Sequence, residues 1–180
     1  MPLLGVYQNH SELKMLNPLE SQISYLNRVK AQSEVLIPVL KRLRMELGED
    51  QANELVYGAL RDWSREVFAE VGSKKEGSGF EIWSQMSEEL DALAVDDIEY
   101  ETLREDSEAL DLNVTSCKFA QFFKELGEPE LGAILTCEVD HHIAAVSKQE
   151  VQLDIEKTIM KGNNLCDFRY RFNRSGNNDA

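Results

Sequence analysis

Apolar residues in the first half of the chain recur at steps of three and four, which is the spacing of one face of an α-helix. The first such stretch begins at Asn17 or Ser21 and stops at Gly48. Pro38 lies inside it and removes one helical hydrogen bond while clashing with the preceding turn. The sequence therefore predicts either a kinked helix or two shorter helices that meet near Leu36.

Two more helices are predicted, one from about Asp50 to Gly72 and one from about Phe80 to Leu93. The apolar stripe of the second helix consists of Ala52, Leu55, Val56, Ala59, Leu60, Trp63 and Val67. Aromatic stripes at helical spacing are typical of a core or a subunit interface. Residues 1–95 are therefore expected to form a helical scaffold, and the first two helices are a candidate surface for a homo-oligomer.

From Asp97 the apolar residues alternate instead, which is typical of strands with one buried face. The alternating set is Ile98, Tyr100, Thr102, Leu110, Leu112 and Val114. A hairpin that turns at Asp106 pairs Thr102 with Leu110, Tyr100 with Leu112 and Ile98 with Val114. This register puts all six residues on one face of the hairpin.

Two helices and a second hairpin are predicted after this point. Thr115 or Ser116 caps a short helix that ends at Gly127, and Pro129 opens a longer helix that runs to about Val146. Alternation then returns from Val151 to Phe172 on both sides of a Gly-Asn-Asn turn. If the turn is centred between Gly162 and Asn163, Glu156 faces Arg169, Asp154 faces Arg171 and Ile159 faces Cys166.

The predicted fold is α+β, with N-terminal helices packed with a small antiparallel sheet built from two β-hairpins. We expect a single domain over residues 1–180, in which 96–172 form a hairpin–helix–helix–hairpin unit and 173–180 a flexible tail. The chain has no apolar run near the roughly 20 residues that span a bilayer, and residues 1–10 lack the pattern of a signal peptide. A cytoplasmic location with no membrane partner is expected.

The formal net charge of −14 argues against nucleic acid or anionic lipid as a partner. Much of the negative charge lies in residues 76–111, where Arg104 is the only basic residue. A solvated acidic surface and the capture of cations both remain open as explanations. A small-molecule substrate is the expected partner.

The three cysteines and their neighbours are the candidate chemistry, and an odd number of them favours free thiols over disulfides. Cys117 opens a helix, whose N–H groups can stabilise a thiolate nucleophile, although a small buried apolar residue is an equal alternative. Cys137, Asp140 and His141 share one helix face, which suits either proton transfer or two ligands of a metal. Cys166 is either core or a third ligand.

The last third of the chain resembles the L-2-amino-thiazoline-4-carboxylic acid hydrolase family. The residues that carry the resemblance are Cys117-x-Phe-Ala-x-Phe-Phe-Lys-Glu-Leu-Gly-Glu-Pro-Glu-Leu-Gly, the Cys137-x-x-Asp140 pair, Lys157-Thr158-Ile159-Met160-x-Gly162, and Cys166-Asp167-Phe168-Arg169. The resemblance implies a hydrolase that opens a small cyclic amidine. The closing Gly-x-x-x-Cys-x-Phe is also similar to small-molecule-binding domains of the 4-vinyl-reductase type.

The resulting hypothesis assigns catalysis to Cys117 and Asp140, with Cys137 and Cys166 beside them. Glu156 or Arg169 would orient a substrate carboxylate, since arginine binds carboxylates with two parallel hydrogen bonds. His141, on the same helix face as Asp140, is a further candidate for substrate binding. No cofactor is expected.

The rival hypothesis is a non-enzymatic sensor domain that uses the same cysteines. In that case Cys117, Cys137 and Cys166 would hold a small ligand or a zinc ion, and the N-terminal helices would pass the signal to a partner.

Overall fold

The computed structural model describes residues 23–173. The helices are α1 (Tyr25–Leu47), α2 (Glu49–Ser73), α3 (Gly79–Ala94), α4 (Lys118–Glu125), α5 (Pro129–Gly132) and α6 (Val139–Val146). The strands are β1 (Ile98–Glu105), β2 (Ala109–Cys117), β3 (Val151–Ile155) and β4 (Cys166–Phe172). A π-helical segment, Ala133–Cys137, joins α5 to α6, and a short 3-10 helix, Ile159–Lys161, precedes β4.

The four strands form one antiparallel sheet in the order β1-β2-β4-β3. The two hairpins are thus joined through the pairing of β2 with β4, and the helices pack with this sheet around a shared apolar core. The predicted α+β class, with helices first and an antiparallel sheet built from two hairpins, is confirmed.

The first helix is continuous despite Pro38, so the alternative of two shorter helices is wrong. Ser24 caps α1, because its side-chain oxygen accepts a hydrogen bond from the N–H of Asn27 at 3.3 Å. The predicted starts at Asn17 and Ser21 lie outside the described residues, as do residues 174–180 of the predicted tail. Gly48 ends α1 as expected.

The predicted stripe of α2 is only partly buried. Ala52 and Val67 lie in the core, whereas Leu55 and Trp63 are 56% and 42% exposed. The buried face of α2 instead includes Tyr57, Ser64, Phe68 and Val71. Gly72 permits the close approach of α6, because a Cβ at that position would overlap the side chain of Val146. Contact with α6 therefore decides which face of α2 is buried.

Both predicted hairpin registers are wrong, by two residues at most of the predicted pairs and by three at Ile98, which pairs with Cys117. In the first hairpin Thr102 pairs with Leu112 and Tyr100 with Val114, because irregularities interrupt the pairing of β1 with β2. The predicted face survives, since a shift of two residues keeps Tyr100 and Thr102 on the same side of the sheet, and the bulge beside Glu99 leaves Ile98 on that side as well. The predicted caps Thr115 and Ser116 are also wrong, because both lie in β2.

In the second hairpin Asp154 pairs with Arg169, and Glu156 lies beyond the end of β3. The connection is a longer loop than a tight turn, and Gly162 adopts a φ of 94° that favours glycine. Ile159 still meets Cys166, since its N–H donates to the Cys166 Sγ at 3.2 Å.

No helix among residues 23–173 combines the length and apolar composition needed to cross a bilayer. Several apolar side chains of α1 are exposed, including Val35 and Val39. Association of two chains through the N-terminal helices stays a prediction.

Candidate active site

A cavity of about 570 Å³ lies between α3, the inner face of the sheet and the segment that contains the π-helix and α6. Eight aromatic side chains account for much of its wall: Tyr25, Phe80, Trp83, Tyr100, Phe119, Phe168, Tyr170 and Phe172. Val95 and Tyr100 also line it and are 74% and 57% exposed, so the cavity opens to solvent beside them. Its size and its apolar walls suit a small organic ligand.

The three thiols and the Asp140 carboxyl line this one cavity. Cys117 ends β2, Cys137 ends the π-helical segment, Asp140 lies in the first turn of α6 and Cys166 begins β4. Burial is the main cause that raises the pKa of all three thiols, and the negative charge of Asp140 adds to it in each case. The structure thus brings together residues that are up to 49 positions apart in the chain.

The π-helical segment sets the direction in which Cys137 and Asp140 point. The N–H of Glu138 donates to the carbonyl of Ala133 at 3.0 Å, which adds one residue to this turn relative to an α-helix. The Tyr25 hydroxyl donates to the carbonyl of Leu135 at 2.7 Å and holds the segment against α1. Cys137 and Asp140 face the cavity as a result.

Cys117 caps α4 with its sulfur. The Sγ accepts a hydrogen bond from the N–H of Ala120 at 3.4 Å, and this bond and the N–H of Phe119 lower the thiol pKa. Burial raises the pKa by more, so the net pKa of Cys117 lies above its usual value. The predicted helix-terminus effect is therefore present, but desolvation outweighs it and the thiol is neutral near pH 7.

The other two thiols are also held in their neutral form. Burial raises the pKa of Cys137 to about 12, and the Thr136 hydroxyl is its hydrogen-bonding neighbour at 3.7 Å. Burial raises the pKa of Cys166 too, although the N–H of Ile159 opposes that shift. Of the three, Cys117 has the most backbone N–H groups that stabilise a negative sulfur.

Asp140 is the residue of the cavity whose pKa lies near neutral pH, which suits it to proton transfer. Burial, and then the negative charge of Asp91, raise the pKa of its carboxyl to about 7. The Tyr170 hydroxyl donates to Oδ1 of Asp140 at 3.4 Å and opposes this rise. Both the acid and the carboxylate are therefore populated near neutral pH, as general acid–base catalysis requires.

Three predicted substrate-binding residues lie outside the cavity wall. The Arg169 guanidinium donates to the carbonyls of Leu112 and Phe168 at 2.7 and 2.9 Å. Arg169 alternates with Phe168 and Tyr170 along β4, so it points to the opposite side of the sheet. Glu156 and His141 are exposed to solvent and do not line the cavity either. The expected orientation of a substrate carboxylate by Arg169 or Glu156 has no support from these positions.

Asp91 is a cavity residue that the sequence pattern did not single out. It lies on α3 together with Ser84, Ser87 and Glu88, and all four line the cavity. Their spacing of three, four and seven residues forms a polar stripe on a helix whose other face is apolar. The spacing of this stripe can be recognised in the sequence, but it lies within the acidic stretch 76–111, where acidic residues are expected on any solvated surface.

The described residues, 23–173, contain no group of three histidine, cysteine or acidic side chains arranged to hold a metal ion. The three thiols line one cavity without being gathered as a ligand set.

Comparison with known proteins places the chain in a family. A solved structure, the phenol-responsive sensory domain of the transcription activator PoxR with phenol, has 11% sequence identity and a TM-score of 0.45. The alignment covers 83% of this chain and 75% of that one. No curated protein sequence matches. The family model for L-2-amino-thiazoline-4-carboxylic acid hydrolase matches residues 28–170, and the chain therefore belongs to that family.

Proposed function

We propose that the protein is a hydrolase that opens a small cyclic amidine, with Cys117 as the nucleophile and Asp140 as the acid and base. The observation that carries this proposal is the presence of both groups on the wall of one cavity, in a chain of this hydrolase family. The pKa of about 7 at Asp140 supports the acid–base role.

Cys117 is the preferred nucleophile for an electrostatic reason. Two backbone N–H groups stabilise negative charge on its sulfur, whereas Cys137 has a pKa of about 12. A neutral thiol must lose its proton to a base before it can attack. The Asp140 carboxylate is the candidate base, because its negative charge acts on all three thiols.

The reaction has two halves. In the first, Asp140 accepts the thiol proton as the Cys117 sulfur bonds to the amidine carbon, and it returns that proton to the ring nitrogen as the carbon–nitrogen bond breaks. In the second, a water molecule attacks the same carbon while Asp140 accepts its proton. Asp140 then donates this proton to the Cys117 sulfur as the bond between that sulfur and the amidine carbon breaks, so that Cys117 leaves as a thiol, Asp140 is a carboxylate again and one water is consumed for each ring opened.

Substitution of each thiol tests the assignment. We expect Cys117→Ala to lower turnover of candidate cyclic amidines by about a thousandfold or more, because the nucleophile is lost. The matched control Cys137→Ala should retain turnover within about tenfold, since the pKa of Cys137 is too high for catalysis near neutral pH. Product is measured by mass spectrometry, and circular dichroism checks that each variant is folded. Full activity in Cys117→Ala would exclude Cys117 as the nucleophile.

A second candidate function is ligand binding without turnover. The three neutral thiols and the aromatic wall favour it, because such a cavity can hold an apolar ligand without reacting. Under this alternative a cyclic amidine binds stoichiometrically and is recovered unchanged.

A further inference from the structure

The charges around the cavity all have one sign. Five acidic residues line it: Glu88, Asp91, Glu105, Asp106 and Asp140. Within residues 23–173, no lysine, arginine or histidine lines it. A ligand therefore meets negative groups and aromatic rings, and no basic side chain of the described chain forms part of the wall.

Two arginine side chains lie near the cavity without lining it. The guanidinium of Arg104 binds Asp106 at 2.6 Å and lies 3.7 Å from Glu108, so Asp106 is compensated. The charge of Arg28 acts on Tyr25, but Arg28 is not part of the wall. Asp91 and Asp140 form no ion pair with any residue of the described part of the chain.

Asp91 and Asp140 line the same cavity, and the negative charge of Asp91 adds to the effect of burial in raising the pKa of Asp140. Asp91 lies nearer to solvent on α3, and Asp140 lies deeper on α6. A cation between them would relieve their repulsion. A ligand carboxylate would add negative charge to a cavity that has no basic side chain on its wall within residues 23–173, and an unpaired charge is costly in such a site.

We propose that the substrate is a cyclic amidine without a carboxylate, which binds as its amidinium cation against Asp91 and Asp140. This inference rests on the proposed function of the same cavity. An amidinium presents parallel N–H donors that match the two oxygens of a carboxylate. The rings of Trp83, Phe168 and Phe172 can pack against the apolar part of the ligand ring, and their faces attract a cation.

Two matched ligands test the inference: 2-amino-2-thiazoline and its 4-carboxylic acid, which differ only in the carboxylate. Binding to the full chain is measured by isothermal titration calorimetry, and ring opening is measured separately by mass spectrometry. We expect the parent ring to bind about tenfold more tightly or better than the acid. Equal or tighter binding of the acid, or no binding of the parent at millimolar concentration, overturns the inference.

A pair of variants examines the role of Asp91. Asp91→Asn removes one carboxylate and should weaken binding of the parent ring by about tenfold. Glu99→Gln removes an exposed acid of β1 outside the cavity wall and should leave binding unchanged. Equal binding by Asp91→Asn and wild type overturns the assignment of Asp91 as an amidinium partner.

The two readouts separate the two proposals. If the parent ring binds selectively but is never opened, the proposed hydrolysis fails and the ligand preference stands. If the protein opens the carboxylic acid more efficiently than the parent ring, the hydrolysis stands and the ligand preference fails.

Discussion

Burial of Asp140 raises the pKa of its carboxyl, and the raised pKa supports the proposed role of this residue in proton transfer. Its carboxyl faces an aromatic cavity and accepts a hydrogen bond from Tyr170, yet it has no cationic partner among the residues that the structure describes. Its pKa is raised to about 7 in the folded protein, so folding favours the protonated acid relative to the unfolded chain. The same shift that suits proton transfer must therefore reduce stability once the group ionises.

The stability of an Asp140→Asn variant should depend on pH in a defined direction. The folded pKa of Asp140, about 7, exceeds its ordinary value of 3.8, so wild type loses stability as pH rises between these values. We expect the variant to melt at the same temperature as wild type near pH 4. Above about pH 7 it should melt at a higher temperature, because its neutral amide needs no ionisation.

Thermal unfolding followed by circular dichroism at several pH values measures this difference. The exposed Glu99→Gln variant is the control and should follow wild type throughout. A melting difference that shrinks as pH rises would contradict the raised pKa of Asp140.

The thiols should react slowly with an alkylating agent at neutral pH. Burial raises the pKa of all three, and Cys137, with a pKa of about 12, should be the slowest. The rate at Cys117 should rise with pH as the thiolate forms, over a higher pH range than for an ordinary exposed cysteine, because burial raises the pKa of Cys117. Iodoacetamide labelling with peptide mapping by mass spectrometry measures each rate, and rapid labelling of Cys137 at pH 7 would show that its pKa is not raised.

At the scale of elements, the site depends on how α3 meets α6, because α3 carries Asp91 and Trp83 and α6 carries Asp140. The two helices touch at Gly79, the first residue of α3, and Ser147, the C-cap of α6. A Cβ on Gly79 would overlap the carbonyl oxygen of Ser147. The Ser147 side chain is fully buried and accepts a hydrogen bond from the N–H of Val151 at 2.9 Å, so this backbone has little freedom to move.

Gly79→Ala should therefore be destabilising by about 2 kcal/mol or more, since the neighbouring atom is backbone and cannot rotate away. Gly58→Ala in α2 is the matched control. A Cβ there meets nothing within 4 Å, and replacing a glycine inside a helix by alanine should stabilise by up to about 1 kcal/mol. Urea unfolding measures both changes, and equal effects would rule out the close contact.

At the scale of the whole molecule, one ion pair ties α1 to the junction between α4 and α5. Arg44 donates to both Glu128 carboxylate oxygens at 2.7 and 2.9 Å and to Tyr57 at 3.0 Å. Glu128 is only 5% exposed, and Arg44 is the cation that compensates its buried carboxylate. The pair thus connects α1, in the N-terminal helical part, to the segment before α5, in the C-terminal part that carries the three thiols.

Arg44→Met should destabilise the protein by about 3 kcal/mol, because it leaves the buried Glu128 charge without its cation. Arg42→Met, two residues away on α1, removes only an exposed pair with Glu46, and it should change stability by about 0.5 kcal/mol or less. Guanidinium unfolding measures both variants. Similar losses in the two variants would mean that the Arg44–Glu128 pair contributes no more than an exposed one.

Local signals in the sequence were sufficient to predict which segments form helices and which form strands, and to predict many of their boundaries. The spacing of apolar residues predicts the three N-terminal helices and the alternating strands, and Gly48 and Pro129 mark ends that the structure contains. The shared face of the six residues of the first hairpin also survives, because the shift is two residues at Tyr100 and Thr102 and a bulge compensates the odd shift at Ile98. The polar stripe through Ser84 and Asp91 could have been found in the same way.

Tertiary structure decided the rest, because registers, burial and charge environments depend on contacts between distant parts of the chain. Bulges and a loop moved both hairpin registers, and this removed Glu156 from Arg169. Burial outweighed the helix terminus at Cys117, which no local pattern predicts. Spacing along the chain can state which side chains share a face, but only packing determines what that face meets and how much water remains there.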